Sequence, residues 1–78
     1  MANFDFIIKE EKVVPNGSRF FFDCVYQGGS EYSGWVWMGN DRSMLASAFR
    51  KKDFRQVSRM TPFGQKIEAA AIQFVKEI

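Results

Sequence analysis

Six basic side chains, Arg42, Arg50, Lys51, Lys52, Arg55 and Arg59, fall within residues 42–59. Such a cluster suits phosphate neutralisation, each contact adding sequence-independent, salt-sensitive affinity for nucleic acid. A solvated charged face is the plainer account of the same residues. Nothing else in the chain is spaced like a reactive site. Histidine is absent, which removes the commonest general base and metal ligand, and the single cysteine, Cys24, offers neither a ligand set nor a disulfide. Glu10 and Glu11 adjoin on an extended segment and so point to opposite sides. Gly28-Gly29 is followed by no helix start, so it reads as a turn and not as a phosphate cradle. The expectation is a non-enzymatic protein with no cofactor, no metal and no small-molecule substrate.

Two turn signals organise the first half of the chain. At Val14-Pro15-Asn16-Gly17-Ser18, proline presets φ for a turn and glycine supplies a left-handed residue, so a three-residue loop with Val14 opposite Ser18 is expected. Alternation then places Phe4, Phe6 and Ile8 on one face with Phe20, Phe22, Cys24 and Tyr26, and sets Lys9 across from Asp23 as an ion pair. At Gln27-Gly28-Gly29-Ser30 the glycine doublet suits a two-residue hairpin loop with Gln27 opposite Ser30. That register sends Trp35 and Trp37 to the aromatic core face. Ile7, Phe21, Val25, Tyr32, Val36 and Met38 are left on the outer face. A loop of odd length inverts this last assignment.

Beyond the third strand, Gly39-Asn40-Asp41 offers an N-cap, and Met44, Leu45, Ala48 and Phe49 recur at helical spacing. A short basic helix from Asp41 to Lys52 is therefore expected, followed over residues 53–60 by a link or short fourth strand. Thr61-Pro62 is a helix start, and Phe63, Ile67, Ala70, Ala71, Phe74, Val75 and Ile78 form one stripe beyond it, with Ile72 directed outward. Residues 1–78 thus read as a single small α+β domain: a three-stranded antiparallel meander, a short helix, a link, and a C-terminal helix packed on one sheet face. Small meanders with helices recur among integrase-type DNA-binding domains and virus-encoded accessory proteins, and no motif here singles out either.

With 78 residues the chain is near the size where one core only just offsets conformational entropy, and nine phenylalanines supply large apolar area per residue to meet that demand. The net charge of +2 hides an asymmetry: residues 1–40 carry three cations and five anions, residues 41–78 eight cations and four anions. No apolar run approaches the roughly 20 residues of a membrane span. The first five residues lack a basic signal start, so a cytoplasmic protein is expected. Surplus apolar groups on the outer face point to a protein partner or a second copy of the chain, as an inhibitor or adaptor would use, docking on Ile7, Phe21, Val25, Tyr32, Val36 and Met38. Nucleic acid held by the basic cluster at residues 42–59 is the alternative.

Overall fold

In the computed structural model, which describes residues 4–78, four strands follow one another as an antiparallel meander. They are β1 (Phe4–Val14), β2 (Gly17–Tyr26), β3 (Ser30–Gly39) and β4 (Met44–Arg50), in spatial order β1-β2-β3-β4. A C-terminal helix, α1 (Pro62–Lys76), packs on one face of this sheet. The architecture is α+β, and among the described residues no helix is long and apolar enough to cross a membrane.

The core lies between α1 and that face. Phe22, Cys24, Tyr32, Val36, Ala46 and Ala48 from the strands meet Ile67, Ala71 and Val75 from the helix, all buried. Each fully buried aliphatic or aromatic side chain contributes roughly 1.5–3 kcal/mol, so a cluster of this size can hold a short chain together. Phe63 packs its ring against Phe4, Tyr26 and Tyr32 at one end of α1, and Phe74 against Phe6 nearer the other. Burial pushes the Cys24 thiol up to about 12, with Asp5 adding to the shift, so this sulfur stays protonated and unreactive. Thr61 caps α1 as its sequence implies, its hydroxyl oxygen accepting from the Gly64 N–H at 3.0 Å. Ile72 packs against the core and is not directed outward.

Residues 44–50 form a strand where the spacing suggests a helix. Their second periodicity decides the matter: Met44, Ala46 and Ala48 face the helix while Leu45, Ser47 and Phe49 alternate with them, and β4 completes the sheet by pairing with β3. Asp41, which reads as a helix cap, instead closes the β3–β4 loop by accepting from the N–H and hydroxyl of Ser43. The link then turns back along the outer edge of β4. Arg50 and Val57 donate their N–H groups to the carbonyls of Arg55 and Ala48, and the Arg59 guanidinium donates to the Ala46 carbonyl at 2.7 Å. An edge that would invite pairing with another chain is thereby covered.

Both hairpins differ in register from the sequence reading. Val14 pairs with Gly17 around the two-residue turn Pro15-Asn16, and a bulge at Lys9 shifts the pairing back by one. The two offsets cancel for residues 4–8, so Phe4, Phe6 and Ile8 do share a face with Phe22, Cys24 and Tyr26. Between bulge and turn the faces exchange, and Lys12 moves to the side of Phe21. In the second hairpin Tyr26 pairs with Ser30, which makes a three-residue loop. Its left-handed residues are Gln27 and Gly28, with φ of 52° and 70°, one position earlier than the glycine doublet suggests. The odd length inverts β3. Tyr32 and Val36 are core residues, 9 % and 0 % exposed, Met38 packs beside them, and Trp35 and Trp37 stand on the opposite face.

Candidate functional site

Among the described residues no helix or strand packs on the face of the sheet turned away from α1, although Gln56 of the link reaches over its β4 margin and donates to the Ser47 hydroxyl at 2.8 Å, burying that serine. The other side chains follow from the pairing. Across one row lie Glu10, Phe21, Trp35 and Ser47; across the next lie Lys12, Arg19, Trp37 and Leu45; on the other side of the first row lie Ile7, Asp23, Ser33 and Phe49. Three aromatic rings, Phe21, Trp35 and Trp37, thus stand together, with Phe49 close by. All are half-buried. Basic groups are set directly upon them: the Arg19 guanidinium lies 4.9 Å from the Trp35 ring centre and the Lys12 ammonium 5.9 Å from that of Phe21. Such contacts are worth about 0.5–1 kcal/mol at exposed sites.

A shallow depression of about 310 Å³ occupies the centre, bounded by Phe21, Trp35, Phe49, Lys9, Asp23 and Ser33. At its polar rim Asp23 holds two lysines, Lys51 at 3.0 Å and Lys9 at 3.4 Å. Burial by itself would raise the Asp23 carboxyl, but the hydrogen bonds and charges of Lys51 and Lys9 outweigh it and leave it below the ordinary value. The carboxylate is therefore ionised at neutral pH, and both ammonium groups are drawn onto the platform.

The chain matches no family model, no curated protein and no solved structure. Its site must be read from its own geometry.

The six residues expected on one outer face divide between two. Ile7, Phe21 and Val25 are there, Ile7 being 67 % exposed, whereas Tyr32, Val36 and Met38 belong to the helix side. The basic residues of 42–59 do not form a single surface either. Arg50 is tied to Asp53, and Arg59 bridges Glu68 at 3.1 Å while anchoring the link to β4, so both are structural. Lys52 and Arg55 are exposed in the link, Arg42 sits in the β3–β4 loop with φ of 70°, and only Lys51 among the six is drawn onto the aromatic platform. The platform instead takes cations from the acidic half of the chain: Lys9, Lys12 and Arg19. The expected Lys9–Asp23 pair is present, although the bulge brings it about. Trp35 and Trp37 were the residues to find, and the signal was the parity of one loop. Among the described residues no group of three or more His, Cys, Asp or Glu is placed to hold a metal.

Proposed function

We propose that this chain binds single-stranded nucleic acid along the helix-free face of its sheet. The observation that supports this most is the interleaving of Phe21, Trp35 and Trp37 with Arg19, Lys12 and Lys9 on one open surface. Aromatic rings stack on bases of any identity and the cations between them meet the phosphates. Residues 35 and 37 are two apart on one strand, so their side chains are about 7 Å from each other. Bases on one strand of a duplex are about 3.4 Å apart. The side-chain spacing is thus two base steps, and a ring can stack only on a base face its neighbours leave uncovered, which selects unpaired strands over duplex.

Tryptophan fluorescence of the full chain, titrated with an unstructured oligonucleotide at low salt, tests this. Quenching and saturable binding are expected, and Trp35→Ala should weaken affinity by about 1–3 kcal/mol while leaving the circular dichroism unchanged. Absence of binding at low salt disposes of the proposal.

A second reading, a protein partner or a second copy docking on the same face, draws support from Ile7 and Leu45, which are 67 % and 45 % exposed beside the aromatic groups. It predicts a concentration-dependent dimer in light scattering, abolished by Ile7→Lys.

A further inference from the structure

We propose that the depression at the turn end of this platform, bounded by Trp37, Asn16, Asn40 and Asp41, receives one unpaired base and favours guanine. The proposal rests on the single-strand reading above and names what that surface would select. The depression measures about 390 Å³. Its aromatic wall rests against the turn: a Cβ added at Gly39 would lie 2.5 Å from Cη2 of Trp37, so the ring takes this place because residue 39 is glycine. Its two loops are fixed to each other as well, since Asn40 donates its N–H to the Asn16 carbonyl at 2.9 Å. The pocket is thus built on tied turns and a strand, the arrangement that holds a binding geometry in place.

Its polar side chains are exposed to solvent and largely uncommitted to protein partners. The side-chain amides of Asn16 and Asn40 form no hydrogen bond among the described residues, and Asp41 commits Oδ1 to the N–H and hydroxyl of Ser43 while Oδ2 stays free. Those bonds from Ser43 hold the Asp41 carboxyl below its ordinary value, so a charged acceptor faces the site at neutral pH. A carboxylate only accepts. Guanine turns two adjacent donors, N1–H and the N2 amine, toward the one free oxygen, Oδ2, whereas adenine and cytosine place a ring-nitrogen lone pair beside their single amine. Thymine and uracil flank their one N–H with two carbonyls. Each of these alternatives sets a lone pair against the anion, and a site built for donors rejects a ligand that lacks them. The asparagine amides can donate to guanine O6. Arg19, paired across the strands with Trp37, is placed to meet the phosphate.

The test is a titration of the full chain with four ten-nucleotide DNAs: oligothymidylate, and the same strand carrying one central dG, dA or dC. The dG strand is expected to bind roughly 5- to 150-fold more tightly than the others, the range for one well-paired base contact. Asp41→Asn keeps an acceptor for Ser43 but turns the free oxygen into a donor, and it should erase the preference without weakening oligothymidylate. Equal affinity for all four strands overturns the guanine site and leaves the platform standing. Failure of every strand to bind overturns both. A dG preference that survives in Asp41→Asn also overturns the assignment.

Discussion

Asp23 is the residue on which the platform's electrostatics turn. It sits between Lys9 and Lys51 and partly cancels the charge that a phosphate would meet. Asp23→Asn should therefore raise affinity for an oligonucleotide several-fold at low salt, read by the same fluorescence titration, while costing little stability because both lysine partners reach into solvent, where such pairs contribute about 0–1 kcal/mol. The acid dependence follows from the lowered carboxyl. Its stabilising contribution is present above the ordinary carboxylate value of 3.8, the value of the unfolded chain, and is lost as pH falls through the lower folded value. Urea unfolding of the Asn variant should show a shallower loss of stability than the parent below about pH 4.

At the scale of elements, the link and α1 depend on a contact that tolerates no side chain. A Cβ at Gly64 would lie within bonding distance of the Ser58 carbonyl oxygen, so the first turn of α1 is pressed against the link. Gly64→Ala should destabilise the protein by about 1–3 kcal/mol despite alanine's better helix propensity, measured by thermal or denaturant unfolding. This contact explains a glycine that sequence alone leaves open. Other elements were plainer. Thr61-Pro62 and the stripe of Ile67, Ala71 and Val75 mark α1 because cap chemistry and 3.6-residue spacing agree. Phe4, Phe6 and Ile8 find their face by alternation, which survives compensating shifts at the turn and the bulge. Residues 44–50 mislead because methionine, leucine and alanine favour helix in isolation, and only the open edge of β3 recruits them as a strand. The candidate surface was least legible. Two glycines permit a left-handed pair without stating where it begins, and moving it back to Gln27 exchanges the roles of Val36 and Trp35.

For the molecule as a whole, helix and sheet divide the labour: one side of the sheet is spent on stability, and among the described residues the other carries no helix or strand. The four platform cations, Lys9, Lys12, Arg19 and Lys51, set an upper bound on salt sensitivity. With about 0.7 counterions released per single-strand phosphate contact, the logarithmic slope of affinity against salt should be no steeper than about −3. A titration series between low and physiological ionic strength measures it. Lys12→Gln should lower the slope by about 0.7, whereas Arg59→Gln should leave it unchanged, because that guanidinium is committed to Glu68 and the Ala46 carbonyl.

The guanidinium resting on Trp35 means that the free protein already covers one ring of its own platform. An incoming base displaces a resident rather than drying a bare surface, so association should be governed by exchange and should show only a small heat-capacity change. The same tenant shields the indole from other copies of the chain, and its removal in Arg19→Ala would leave a stickier molecule before it left a weaker binder.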